Sequence, residues 1–192
     1  MTTINTVSSN PNRQSSKDTL TDHIDLDLLH LGILQLGLPN NPLLPKFLEQ
    51  SCLQCPQSFS SLTKSPSPAT EVKDLLEKTK HIFDEMFLEG ADIQALLALK
   101  AWLMDQILDA LWKRYSFDKN LSLIAVGGYG RGELQPHSDI DLLILIKDTL
   151  TDQLGEDISS FITLLWDIGL EVGQSVRTIK ETISLALFSC FV

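Results

Sequence analysis

Asp139 and Asp141 stand two residues apart at the mouth of an otherwise apolar run, Ile140 to Ile146 (IDLLILI). Such a run reads as a buried strand, along which side chains alternate faces, so both carboxylates project from one side. Two like charges so placed repel, and each loses hydration beside apolar neighbours, which makes an uncompensated pair costly. A divalent cation removes the conflict. Mg²⁺ favours carboxylate oxygen and keeps water and substrate phosphate as its other ligands. Taken alone, the pair also fits a plainer role in which one aspartate caps a following helix or faces solvent.

The pair has company. A second short apolar run, Leu121 to Val126 (LSLIAV), ends in Gly127-Gly128-Tyr129-Gly130-Arg131-Gly132-Glu133. Glycine lets backbone N–H groups come close to a phosphate, where larger side chains would block the approach. No Gly-Lys-Ser/Thr follows, so this is not a Walker A loop, and the dinucleotide spacing GxGxxG is not met. A glycine hairpin explains the run by itself. Joined to Ser138-Asp139-Ile140-Asp141, with Asp139 eleven residues after Gly128, the combination is far more specific.

The elements that must position these residues are legible in the periodicity. From Glu71, apolar residues Val72, Leu75, Leu76, Ile82, Phe83, Met86 and Phe87 recur at helical spacing, with Thr70 as cap and Gly90 beyond the end. A second helix spans about Asp92 to Tyr115, with Asp109 and Lys113 as a surface pair. Leu121 to Val126 and Ile140 to Ile146 are strands, Leu154 to Ile168 is a helix stopped at Gly169, and Leu170 to Arg177 is a third strand. Strands alternating with helices predict an α/β (α+β) fold, a small mixed sheet flanked by helices and preceded by two more.

The charge distribution divides the chain. Residues 1–70 hold four basic and five acidic side chains, seven of the eight prolines and 17 Ser or Thr. Residues 71–192 carry 11 basic and 20 acidic groups, so nearly all of the net charge of −10 lies there. We therefore expect a polar, partly disordered leader over 1–70 and a catalytic body over 71–192, with the boundary near Pro66-Ser67-Pro68. One apolar island interrupts the leader, Ile24 to Leu38, and reads as an amphipathic piece lying on the body. Net acidity argues against non-specific nucleic-acid binding. No stretch is apolar enough to span a membrane, and three cysteines make no disulfide framework, so a cytoplasmic protein is expected. Cys52 and Cys55 have metal-knuckle spacing but no second pair.

The string Ala125 to Leu145 (AVGGYGRGELQPHSDIDLLIL) resembles the DNA polymerase beta-like nucleotidyltransferase superfamily. Within it, the string is similar to the N-terminal nucleotidyltransferase domain of the bifunctional protein-PII uridylyltransferase/uridylyl-removing enzymes. Ala101-Trp102-Leu103, Asp105-Gln106 and Leu111-Trp112 upstream, and Leu165-Trp166-Asp167 and Val172 to Thr178 downstream, extend the likeness over roughly Glu71 to Thr182. The resemblance implies transfer of UMP from UTP to a tyrosine hydroxyl of the PII signal protein, with release of pyrophosphate.

In that reaction Asp139 and Asp141 would hold one or two Mg²⁺. Gly127 and Gly128 would offer backbone donors to the β- and γ-phosphates, with Ser138 as a hydroxyl donor. Arg131 would neutralise charge on the pyrophosphate, or is a surface arginine. His137 reads as loop structure before proton carrier. The superfamily adds a third carboxylate from a later strand, for which Glu171 is the nominee, and Gln174 stands where the family often has His. Members continue into a metal-dependent HD hydrolase domain and paired ACT domains. This sequence has no His-Asp pair and stops at Val192, which predicts a truncated transferase portion without uridylyl-removing activity. A sister transferase acting on another protein or a small molecule, and an inert nucleotide-binding module, remain open alternatives.

Overall fold

The computed structural model describes residues 41–51, 59, 61–117, 119–135, 138–147 and 149–189, with side chains through residue 185. The island 24–38, Cys52, Cys55, His137 and Cys190 lie outside the described residues. In chain order the elements are α1 (Leu44–Ser51), α2 (Pro68–Leu88), α3 (Ile93–Arg114), β1 (Leu121–Ala125), α4 (Gly127–Gly130), β2 (Ile140–Ile146), α5 (Asp152–Ile168), β3 (Val172–Thr178) and α6 (Ile179–Ser189). This is the expected mixed α/β architecture.

β2 is the central strand of a three-stranded sheet. It pairs antiparallel with β1, from Leu121↔Ile146 to Ala125↔Leu142, and parallel with β3, from Ile140↔Val172 to Ile146↔Thr178. The parallel pairing needs a crossover, which α5 supplies. Ile140, Leu142, Ile144 and Ile146 are buried in one core with Leu99, Ile107 and Leu111 of α3 and Phe161 and Leu165 of α5. Leu143 and Leu145 on the opposite face are also largely buried, which is why β2 reads as a continuous apolar run rather than an alternation.

Several boundaries differ from the sequence reading. α2 begins at Pro68, with Ser67 at the N-cap position and making no side-chain capping bond, so Thr70 lies inside the helix. Proline suits the first turn because its missing N–H would have no intrahelical acceptor there. α3 is capped by Asp92, which accepts from Ala95 N at 2.9 Å. The Asp109–Lys113 pair forms at 2.6 Å. Gly169 ends α5 in the left-handed region at φ +90°. Thr178 and Glu181 then cap α6 reciprocally, Thr178 N donating to Glu181 Oε2 at 2.7 Å and Glu181 N to Thr178 Oγ1 at 3.2 Å.

Packing also crosses the composition shift near residue 67. Phe47 of α1, Phe59 and Leu62 belong to the same core as α2 and α3, and the Phe47 and Phe83 rings lie 5.2 Å apart. Asn41 Nδ2 donates to Ala95 O at 2.8 Å, and Arg114 Nη1 donates to Ser65 O at 2.7 Å. The packed body therefore reaches back to residue 41. No described helix is long and apolar enough to cross a membrane.

Candidate active site

The candidate site forms where β1 ends and β2 begins. Because the two strands are antiparallel neighbours, Val126 N donates to Asp141 O at 3.0 Å, and the glycine run leaves β1 directly beside the start of β2. The run forms one helical turn, α4, entered through Gly127 at φ +61°.

Asp141, half-buried, lies between two glycines. A Cβ at Gly127 would sit 2.3 Å from its Oδ2, and one at Gly173, its partner in β3, would sit 2.4 Å from Oδ1. A side chain at either position would displace the carboxylate from where it lies, so the two glycines form a cradle that leaves it room. Asp139 lies one residue outside β2 and is exposed. Oxygen donors of this hardness suit Mg²⁺. Among the described residues no group of three His, Cys, Asp or Glu stands ready to hold a metal. Asp139 and Asp141 are the residues here that could hold such an ion.

The other nominated residues occupy different positions. Glu171 is exposed before β3; its carbonyl accepts from Ile140 N at 2.8 Å, and it forms no three-acid group with the aspartates. Glu171 and Ser138 instead line a mainly apolar cavity of about 730 Å³ together with Leu76, Phe83, Leu96 and Leu103. Ser138 Oγ donates to Gln135 O at 2.9 Å, so its proton is committed to the loop. Arg131 is exposed and clips the turn, Nη1 donating to Gly127 O at 2.9 Å and Nε to Glu133 Oε2 at 3.0 Å. Gly128 lies beneath this clip, the position of a Cβ there being 3.9 Å from Arg131 Nη2. Gln174 follows Gly173 and so alternates to the opposite sheet face from Asp141.

Behind the turn lies a pair that sequence reasoning passed over. Tyr129, in the middle of α4, donates from its hydroxyl to Asp105 Oδ1 of α3 at 2.5 Å, with both residues buried. Burial pushes the Asp105 carboxyl up to about 6, against the opposing pull of the Tyr129 hydrogen bond. Tyr129 is raised well above the ordinary tyrosine value by burial, and then by the Asp105 charge and hydrogen bond. Lys100 also escaped notice; its Nζ donates to Gln135 O at 3.1 Å, and burial lowers its pKa. The available signals were a glycine inside a strand, which weakens it unless a close approach needs it, and an acid on the apolar side of a helix, next to Met104 and one turn from Ala101, Trp102 and Leu108.

Comparison with known proteins decides what such a site belongs to. The nucleotidyltransferase domain model matches residues 104–188, a span from the middle of α3 to the end of α6 that contains every residue of the cradle. Residues 104–188 carry a nucleotidyltransferase domain. The chain is 48% identical over 127 residues to the bifunctional uridylyltransferase/uridylyl-removing enzyme of Pseudomonas putida (strain W619), covering 65% of this chain and 14% of that protein. It is 45% identical over 139 residues to the protein so named in Stutzerimonas stutzeri (strain A1501), covering 71% and 15%. For that of Azotobacter vinelandii (strain DJ / ATCC BAA-1303) the figures are 50% over 127 residues, 65% and 14%. The chain thus spans about one-seventh of the length of these relatives. No solved structure matches it. The nucleotidyltransferase domain has its glycine turn, both aspartates and Asp105 within the matched span.

Proposed function

We propose that this nucleotidyltransferase domain transfers UMP from UTP to a tyrosine hydroxyl of a PII-type signal protein. The carboxylate of Asp141, seated between Gly127 and Gly173 beside a glycine turn, is the observation that carries the reading. The printed name of the relatives, uridylyltransferase, supports the choice of nucleotide. In the reaction the tyrosine oxygen bonds to the α-phosphorus, the α–β phosphoanhydride bond breaks, pyrophosphate leaves, and the hydroxyl proton passes to solvent.

Each step asks something definite of the chain. Asp139 and Asp141 would hold Mg²⁺, which when bound neutralises triphosphate charge and favours ionisation of the attacking hydroxyl. The Asp141 carboxylate already lies beside the glycine turn, in the space that Gly127 and Gly173 leave open, so a nucleotide seated on the turn meets it in place. Gly127 and Gly128 leave the backbone open to the β- and γ-phosphates. Arg131, anchored on the Gly127 carbonyl, brings a positive charge to the rim of the same turn. Glu171, if it serves as a third acid, must turn away from the cavity that it lines.

The test is label transfer from α-phosphate-labelled UTP to PII in the presence of Mg²⁺, comparing the native chain with Asp139→Asn/Asp141→Asn. Transfer should fall by about three orders of magnitude, the scale of lost transition-state charge stabilisation. Transfer that survives the double substitution overturns the two-carboxylate mechanism. A second reading, nucleotide binding without turnover, is favoured by the lack of a three-acid group among the described residues. It predicts bound UTP and no labelled PII.

A further inference from the structure

We propose that Asp105 is a positioning residue for the nucleotide site, holding the glycine turn on the Asp141 carboxylate through its hydrogen bond to Tyr129. The proposal rests on the nucleotidyl-transfer reading for its consequence, but its geometry stands apart from it. α3 is buried along most of its length by apolar residues, and Asp105 is its only buried acid. It accepts from Tyr129 Oη at 2.5 Å. Tyr129 is the one large side chain in a four-residue turn that otherwise consists of glycine. Glycine gives that turn its close approach to Asp141 and no side-chain packing to hold it there. The hydroxyl of Tyr129 supplies what the glycines cannot, a directed bond to the rigid body of α3.

The chain of contacts then runs without a gap. Asp105 fixes Tyr129, and Tyr129 fixes α4. Gly127, at the start of α4, leaves open the space that Asp141 Oδ2 occupies, while Arg131, just past its end, clips the Gly127 carbonyl at 2.9 Å. An apolar pair of similar volume would fill the same space and spare the desolvation that raises the acid's pKa. What a hydrophobic pair cannot supply is direction. Shape alone would let the ring rotate or slide, whereas a short bond to one carboxylate oxygen permits a single seat.

The experiment uses three variants of the full chain, Tyr129→Phe, Asp105→Leu and Asp105→Asn. Two readouts are taken, Mg²⁺-dependent affinity for UTP and hydrogen exchange at the amides of residues 130–133, with thermal midpoints as a control. Tyr129→Phe and Asp105→Leu should weaken UTP at least tenfold and accelerate exchange in the turn; each leaves one buried partner unpaired and so lowers the thermal midpoint, and affinity is read at a temperature where the variant is folded. Asp105→Asn, whose amide oxygen accepts the same bond, should restore affinity to within about threefold. Native affinity and native exchange in Tyr129→Phe overturn the proposal. If the native chain binds no UTP, the nucleotide reading fails, and exchange in the turn still decides whether Asp105 holds it. Faster exchange in Tyr129→Phe that Asp105→Asn does not share supports the role, and unchanged exchange rejects it.

Discussion

Gly173→Ala is the sharpest perturbation that the structure offers. Gly173 has ordinary strand dihedrals, so alanine brings no backbone strain; its only effect is one methyl group aimed at Asp141. That methyl would lie 2.4 Å from Oδ1, where real contacts stay beyond 3.0 Å and usually beyond 3.4 Å. The oxygen must therefore retreat by roughly 0.6–1.0 Å. The oxygen is the end of a flexible, half-buried side chain, so it yields by turning away from the seat that the two glycines leave open. The carboxylate must twist out of its rotamer, at a cost on the order of 0.5–1.5 kcal/mol in stability. Function should suffer far more, since misplacing a catalytic group by about 1 Å costs on the order of 10²-fold. The assay is calorimetric titration of UTP with Mg²⁺, alongside urea denaturation. Gly155→Ala serves as control: nothing lies within 4 Å of the added methyl in α5, and it should stabilise by about 0.5–1 kcal/mol without touching affinity. Affinity of Gly173→Ala within twofold of native, on a folded chain, would refute the assignment of the Asp141 cradle to the nucleotide site.

Asp105 gives a pH signature of known sign. Its carboxyl sits at about 6 in the fold against an ordinary 3.8, so the folded chain binds that proton more tightly than the unfolded one. Stability from this group is therefore fully present below about pH 4 and lost as pH rises through 6, by about 3 kcal/mol in all. Asp105→Asn should remove that slope, and a difference in unfolding free energy between variant and native chain that stays constant from pH 4 to 8 would contradict it. Phe47→Ala tests whether the body reaches back before residue 68: with Phe47 fully buried against Phe83, the loss should be about 3–5 kcal/mol in urea unfolding. A loss below about 1 kcal/mol would separate α1 from the core.

Local pattern carried most of the element list. Ile140–Ile146 emerges as a strand with its sequence-read bounds unchanged, because seven apolar or site residues bounded by polar loops admit no helical period. Gly169 ends α5 as expected, since its left-handed φ is one that other residues avoid. The start of α2 was misplaced because Pro68 and Ser67 compete with Thr70 as helix openers, and only the packing of Pro68 into the body separates them. Likewise the division near residue 67 followed composition, whereas Phe47, Phe59 and Leu62 show that a few apolar residues in a polar stretch suffice to join the core.

By itself the sequence determined the chemistry on offer: two aspartates at strand spacing, a glycine turn before them, and the nucleotidyltransferase resemblance that their combination carries. Spacing along one chain could do this because strand alternation is a local rule. The tertiary structure alone decided which groups hold that chemistry in place. Gly173 reaches Asp141 only through the parallel pairing of β2 and β3, 32 residues apart in the chain. Asp105 reaches Tyr129 only because α3 packs beneath the turn. Contacts between elements depend on register and packing, for which a single sequence has no period to display.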